Sequence, residues 1–128
     1  MDELPPYARF LGIERRRSEA GELMFVMPFA EVVHGRPGFL HGGAIAGLLE
    51  FAAFGAIYEA LGDAHGVAVK PINVSVSFMR GGTHHDTYAA ASVTRLGNRI
   101  ANVEAHAWQL DRDKPIASAQ VNVLLKRR

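Results

Sequence analysis

A long apolar segment, residues 41–61, interrupts a chain in which many other hydrophobic positions alternate with polar ones. It reads HGGAIAGLLEFAAFGAIYEAL, and between its first histidine and Glu59 the only charged side chain is Glu50. A helix that is apolar on every face is typical of a protein core. A membrane span needs about 20 apolar residues, but this carboxylate and the small residues around it make a poor lipid-facing helix. The pattern predicts a buried core helix that ends at Gly62.

The segments before this helix are predicted from turn residues and short apolar runs. They are a helical turn, two strands joined at Ala20-Gly21, and a loop, at residues 3–11, 13–18, 22–28 and 29–40.

Four strands are predicted after the helix, because the period of the apolar residues changes from helical to two. The first contains Ile72, Val74, Val76 and Phe78; the last two have apolar positions 101, 103, 105 and 107, and 117, 119, 121, 123 and 125, with His106 and Trp108 on an outward face. Short turns favour antiparallel neighbours, and alanines on the inner faces leave room for a helix. The pattern predicts an α+β fold in which an antiparallel sheet of about five to six strands wraps around one long central helix.

Composition indicates one domain, residues 1–128, with 48% apolar residues and a net charge of +1. The near-neutral charge argues against nucleic-acid binding. With no cysteine, the chain has neither disulfides nor thiolate metal sites. No signal peptide is evident, and we expect a cytoplasmic protein without membrane association. His84-His85-Asp86 lacks further ligands at a characteristic spacing, so no metal site is expected.

The start of the apolar helix, His41-Gly42-Gly43, has the chemistry of an oxyanion site. The first backbone N–H groups of a helix have no partner within it, glycine allows close approach of a ligand, and the helix dipole adds positive potential. The Gly42 N–H is therefore a candidate donor to a carbonyl, and one such donor is typically worth about 10²–10³ in rate.

Glu50 is the candidate reactive carboxylate, with Ala46, Gly47, Ala53 and Phe54 one turn away. It lies eight residues beyond Gly42, which corresponds to roughly 12 Å along a helix. One substrate carbonyl cannot touch both groups of one chain. Two antiparallel copies of the helix would bring them together, so the spacing favours a dimer with two composite sites.

Other interpretations stay open on the residues alone. Gly-Gly before a helix is often only a turn, a histidine there is often a cap, and a carboxylate within a helix is often part of a buried ion pair.

The whole constellation resembles a known family. Gly38-Phe39-Leu40-His41-Gly42-Gly43, with Glu50 nine residues after the histidine, is similar to the signature of the hotdog-fold acyl-CoA thioesterases of the PaaI-like group. The likeness extends over nearly the whole chain, because the strand ending Phe78-Met79-Arg80, the turn at residues 95–99 and the alanine-rich last strand follow in the same order.

The resemblance implies hydrolysis of an acyl-CoA thioester. The Gly42 N–H would polarise the carbonyl, Glu50 of the partner subunit would attack it or activate water, and His41 would anchor the loop. The implied substrate-binding residues are Gly43, His34, Gly35, Phe54, Arg80, Gly97, Asn98 and Arg99. No metal or cofactor is implied beyond the coenzyme A of the substrate, and the subunits are expected to form a homodimer that pairs into a homotetramer.

Two positions depart from the family pattern. Relatives commonly carry Asn or Gln six positions before the histidine, where this chain has Gly35, so either His34 takes that role or no residue does. Some carry Thr or Ser where this chain has Phe54. The alternative function is therefore a non-catalytic acyl-CoA-binding protein; a hotdog hydratase fits less well, because its Asp-His pattern is missing. Phe54, Tyr58 and the loop at residues 29–40 are expected to line the acyl pocket.

Overall fold

The computed structural model describes residues 4–62 and 66–127 of the 128-residue chain. The predicted order of a strand pair, a long helix and four strands is confirmed. In chain order the elements are α1 (Pro6–Phe10), β1 (Glu14–Arg17), β2 (Leu23–Met27), a 3-10 turn (Glu31–Val33), α2 (Gly42–Leu61), β3 (Val67–Phe78), β4 (Thr87–Leu96), β5 (Ile100–Trp108) and β6 (Ala117–Arg127).

The strands form one six-stranded antiparallel sheet in the order β1-β2-β4-β5-β6-β3. Strands β4, β5 and β6 are neighbours because short connections join them, whereas β3 follows the long helix and reaches the far edge of the sheet. The predicted fold class, an antiparallel sheet wrapped around one helix, is confirmed. Strands β1 and β3 are left as the two edges.

Alanine side chains allow α2 to lie close to the sheet, as the sequence predicts. Ala101, Ala105 and Ala107 of β5 and Ala117 and Ala119 of β6 are all buried. Because these side chains are short, the helix axis approaches the strands without displacing larger residues.

Helix α2 is not buried on every side, which corrects the sequence-based prediction. Leu48 and Leu49 are fully buried. A stripe on the opposite side, formed by Gly43, Ala46, Glu50, Phe54 and Tyr58, is only partly covered or exposed. We call these five residues, from Gly43 to Tyr58, the open stripe. By length and composition α2 could cross a membrane, yet 44% of its most apolar window is buried within the protein.

Strand β3 begins five residues earlier than the alternation predicts and contains a bulge. Pro71 pairs with Val123 and Asn73 with Asn122, so Ile72 is the extra residue between them. The bulge changes which alternate positions face the helix, and Ile72 is exposed rather than part of the inner face. The prediction is correct from Val74 onward and wrong at Ile72.

Trp108 shares a face of the sheet with His106, as predicted, since their ring centroids stack 5.1 Å apart, but a side chain of the same chain covers the tryptophan. The Arg112 guanidinium carbon lies 4.4 Å from the centroid of its ring, and Trp108 is only 8% exposed. Arg112 also donates to His106 Nε2 at 3.0 Å and to both carboxylate oxygens of Glu22 at 2.7 Å. A side chain from the β5–β6 connection therefore covers the tryptophan and joins that connection to the residue preceding β2.

Candidate active site

The amino-terminal end of α2 is capped by a side chain. His41 Nδ1 accepts a hydrogen bond from the Gly43 N–H at 2.8 Å, and the His41 carbonyl accepts from Ala44 and Ile45. A Cβ at Gly43 would lie 2.9 Å from this nitrogen, so glycine is what permits the cap. Among the described residues no acceptor is bound to the Gly42 N–H. One donor of the first helical turn thus remains available at the point the sequence predicts.

The loop before the cap is a tight turn held by backbone hydrogen bonds. His34 and Leu40 form an isolated antiparallel bridge, and the Gly35 N–H donates to the Phe39 carbonyl at 2.8 Å. A Cβ at Gly35 would lie 2.9 Å from the His41 Cα. The position where relatives carry Asn or Gln is therefore too close to the capping residue for any side chain without movement of the backbone.

His34 belongs to an aromatic cluster beside this loop. Its ring centroid lies 4.8 Å from that of Phe29 and 5.8 Å from that of His84, and Phe29 lies 4.5 Å from His84. The cluster joins the loop before α2 to the turn between β3 and β4. Within residues 4–62 and 66–127 there is no group of three or more histidine or acidic side chains that could hold a metal ion.

Phe78, which the sequence analysis did not name as a site residue, lies beside Gly42. A Cβ at Gly42 would be 3.4 Å from the Phe78 Cζ, and Phe78 is 56% exposed. Arg80 follows two residues later, and its backbone N–H donates a hydrogen bond to the Ile116 carbonyl at 3.3 Å. The alternation in β3 already puts Phe78 on the helix-facing side, and this is the signal that could have found it.

Glu50 lies in the middle of the open stripe, between Ala46 and Phe54. It is partly buried, and no hydrogen bond or ion pair joins it to any other residue that the structure describes. The two nearest small residues on its other side, Gly47 and Ala53, face the interior instead. The open stripe therefore gives a ligand access to the carboxylate. The hypothesis of a buried structural ion pair is not supported.

A groove of about 570 Å³ runs along the carboxyl-terminal half of α2, beside β1. Phe54 and Tyr58 line it, together with Phe51, Phe25 and Arg15, which the sequence analysis did not name. The loop at residues 29–40 does not line this groove of the single chain, and its predicted contact with the acyl group stays a prediction. We call this space the α2–β1 groove.

Two charged side chains of this groove, Arg17 and Glu59, are paired with each other. The Arg17 guanidinium donates to the Glu59 carboxylate and lowers the pKa of that carboxyl below its ordinary value. Outside this groove, a similar hydrogen bond from Arg112 lowers the pKa of Glu22. These ion pairs leave Glu50 as the unpaired carboxylate on the helix that carries the free N–H.

Gly97, Asn98 and Arg99 lie far from Gly42 in the same chain. They form the turn after β4, where the Arg127 Nε donates to the Asn98 carbonyl at 3.2 Å. The ten residues of β4 span roughly 30 Å, and the turn is at the end opposite the helix cap. The structure thus brings His34, Gly35, His41, Gly42, Gly43 and Arg80 to one end, with Glu50 and Phe54 along the helix and the turn residues at the other end.

Comparison with known proteins shows the family of this chain. The sequence model of the Thioesterase superfamily matches residues 37–116. A candidate esterase from Halobacterium salinarum is 33% identical over 98 residues, which span 74% of this chain and 64% of that protein.

Solved structures show the same fold. A Bacillus halodurans protein crystallised with CoA superposes with a TM-score of 0.87 at 21% identity, covering 100% of this chain and 83% of the other. A Chromobacterium violaceum protein is 35% identical, with a TM-score of 0.75 and coverage of 94% and 83%. A thioesterase from Haemophilus influenzae superposes with a TM-score of 0.82 at 19% identity, covering 94% and 82%. The helix cap, the central helix and the matched family model together place this chain in the thioesterase superfamily, with the hotdog fold.

Proposed function

We propose that the protein hydrolyses acyl-CoA thioesters to a free acid and coenzyme A, at sites shared between two subunits. The observation that carries the proposal is the unbound Gly42 N–H at the capped start of α2, on the same helix as an unpaired carboxylate. Membership of the thioesterase superfamily supports thioester hydrolysis, and the CoA in the Bacillus halodurans structure supports coenzyme A as the thiol.

The edge strands support a two-fold dimer. Strand β1 has four residues, Glu-Arg-Arg-Arg, all exposed, and such charge on a short edge discourages pairing. Strand β3 has twelve residues with one charge, at Lys70, and one of its edges is unpaired in the sheet. Antiparallel pairing of β3 with its copy would extend the sheet through a two-fold axis.

The open stripe supports the same dimer. If two copies of α2 cross antiparallel near Ala46, Gly42 of one subunit lies opposite Glu50 of the partner subunit, since Ala46 is midway between them. Gly42, Gly43 and Ala46 are small and not fully buried, which favours close approach of the two helices. This crossing would remove the separation of roughly 12 Å within one chain.

In the proposed reaction the thioester carbonyl oxygen accepts a hydrogen bond from the Gly42 N–H, which stabilises the negative charge of the tetrahedral intermediate. Glu50 of the partner subunit either takes a proton from water as it attacks the carbonyl or attacks the carbonyl itself. The carbon–sulfur bond then breaks and the thiolate of coenzyme A leaves. When water attacks, the acid forms directly; when Glu50 attacks, the acyl group is left as a mixed anhydride with Glu50, which water hydrolyses to the acid and the free carboxylate. No cofactor is required in this scheme.

The remaining predicted contacts fit a shared site. Arg80 lies near the helix cap, whereas Gly97, Asn98 and Arg99 lie at the opposite end of the sheet, so a two-fold dimer could supply phosphate contacts from both subunits. His34, Gly35 and Gly43 belong to the loop and cap beside the carbonyl site. Association of dimers into a tetramer and a cytoplasmic location complete the proposal.

Subunit mixing tests the shared site. Thiol release from a panel of acyl-CoAs is measured for the wild type, Gly42→Pro, Glu50→Gln and an equimolar mixture of the two variants after subunit exchange. Each variant alone should be nearly inactive. The mixture should regain about a quarter of the wild-type activity, because half of the dimers are mixed and each of these has one intact site.

The outcome separates the two candidate functions. Exchange confirmed by mass measurement without any recovery of activity would overturn the shared site. A wild type that binds acyl-CoA but releases no thiol from any of the panel would favour the non-catalytic binding protein, which the absence of polar side chains at Gly35 and Phe54 motivates.

A further inference from the structure

The α2–β1 groove has walls suited to an acyl group. Phe25, Phe51, Phe54 and Tyr58 supply aromatic surface along it. Gly55 has no side chain, and a Cβ there would lie 2.6 Å from the Phe25 Cζ, so this glycine lets the Phe25 ring rest against the helix. The groove is therefore a long apolar surface rather than a polar cleft, and such surfaces bind the apolar parts of small ligands.

One charge on the wall of this groove is uncompensated among the described residues. Arg16 is paired with Glu14 and Arg17 with Glu59. Arg15 lines the groove, and no hydrogen bond or ion pair connects it to any part of the chain that the structure describes. A guanidinium beside an apolar surface is suited to a carboxylate, which it can bind through two parallel hydrogen bonds.

The groove starts where the proposed reaction takes place. Phe51 is the residue after Glu50, and Phe54 lies one turn beyond it; from there the groove continues along α2 to Gly62. In the proposed dimer the partner's helix begins opposite Glu50, so the helix from Phe51 onward lies outside the crossing. An acyl group whose carbonyl is at Glu50 can extend along this part of the helix, roughly 16 Å for eleven residues.

We propose that the α2–β1 groove binds the acyl group and that Arg15 selects acyl groups which end in a carboxylate. This inference rests on the proposed thioesterase activity. The substrate class is thus a monothioester of a dicarboxylic acid, with an apolar chain or an aromatic ring between the thioester and the free carboxylate. Arg15 is exposed, so its contact with the carboxylate is partly screened by water and the selectivity is moderate.

Matched substrates test the proposal. Suberoyl-CoA and octanoyl-CoA have the same chain length and differ in the terminal carboxylate; 4-carboxybenzoyl-CoA and benzoyl-CoA form the aromatic pair. In each pair the wild type should have the higher kcat/KM for the acyl-CoA that ends in a carboxylate. Arg15→Gln should lower kcat/KM for the carboxylate-ended members about tenfold, mainly through KM, and leave the other two unchanged. Arg16→Gln, the matched control on the same strand, should change none of the four.

Two results would overturn the assignment of Arg15. Equal kcat/KM of the wild type within both pairs removes the selectivity. An equal loss for all four substrates in Arg15→Gln would mean that the guanidinium contacts coenzyme A, which every substrate shares, instead of the acyl terminus.

A binding measurement separates this proposal from the thioesterase activity. Calorimetry with monomethyl suberate and methyl octanoate, in which an ester replaces the thioester and only the former has a carboxylate, needs no turnover. Stronger binding of monomethyl suberate by the wild type, lost in Arg15→Gln, supports the groove even if no acyl-CoA is hydrolysed, in which case the proposed activity alone fails. Turnover of the acyl-CoAs with no Arg15-dependent preference in either assay leaves the activity standing and refutes the role of Arg15.

Discussion

The imidazole Nδ1 of His41 accepts the hydrogen bond of the Gly43 N–H, at a distance of 2.8 Å. The histidine of the His-Gly-Gly sequence is thus the cap of the central helix. Because Nδ1 serves the second residue of the helix, the N–H of the first, Gly42, is left for a ligand. The cap and the proposed oxyanion site both use N–H groups that the start of a helix leaves without a partner within the helix.

Replacing the cap should weaken the helix. His41→Ala removes the acceptor and should lower the free energy of unfolding by about 1 kcal/mol, the usual value for a lost cap. His41→Asn, which restores an acceptor of good capping geometry, should recover most of the stability. Chemical denaturation of both variants measures this, and equal stability of His41→Ala and the wild type would contradict the role of the side chain as a cap.

The backbone donor can be removed without removing the helix. Proline is well tolerated at the first helical position, so Gly42→Pro should fold while lowering kcat by about 10²–10³, the typical loss of one oxyanion donor. Gly42→Ala keeps the N–H and brings a Cβ to 3.4 Å from the Phe78 ring. We expect it to retain far more activity than the proline variant. Steady-state kinetics and circular dichroism of the two proteins make the comparison.

Placing asparagine, which relatives carry at this position, at Gly35 should lower the stability of the protein. At Gly35 a Cβ would lie 2.9 Å from the His41 Cα, so Gly35→Asn should destabilise the protein by about 1–3 kcal/mol, as overpacking does, and should not raise kcat. Gly35→Ala, which adds the Cβ without the amide, should be destabilised as well, because the Cβ itself makes the close contact. Higher activity in Gly35→Asn would show that the loop adapts and that this position can orient water.

Stability should depend on the protonation of His106. Burial and the charge of Arg112 lower the pKa of His106 below its ordinary value of 6.5, while Glu22 opposes this to a smaller extent. The unfolded chain therefore binds the proton more readily than the folded one. The contribution of His106 to stability is present above pH 6.5 and is lost as the pH falls below it.

Thermal unfolding around this pH measures the effect. The wild type should lose stability on acidification, and His106→Gln, which keeps an acceptor for Arg112 but does not titrate, should lose less. His85→Gln, at an exposed histidine, should follow the wild type. Parallel curves for all three proteins would show that His106 does not contribute to the pH dependence.

The amino-acid sequence by itself determined the type and order of the elements. A helical period over residues 41–61 and a period of two in the following strands are local properties, because each depends on neighbouring positions along one segment. The helix start at His41-Gly42-Gly43 and the offset of Glu50 could also be read from the sequence, since both lie on a single helix, whereas the capping role of His41 was only one of the alternatives left open.

The tertiary structure decided what depends on the approach of distant segments. The bulge at Ile72 results from the pairing of β3 with β6. A side chain at Gly35 is excluded because the backbone of His41 lies against that position. The open stripe on α2 and the unpaired Arg15 appear only when the sheet covers one side of the helix and leaves the other. Such features depend on packing between segments far apart in sequence, and the local periodicity of one segment does not predict that packing.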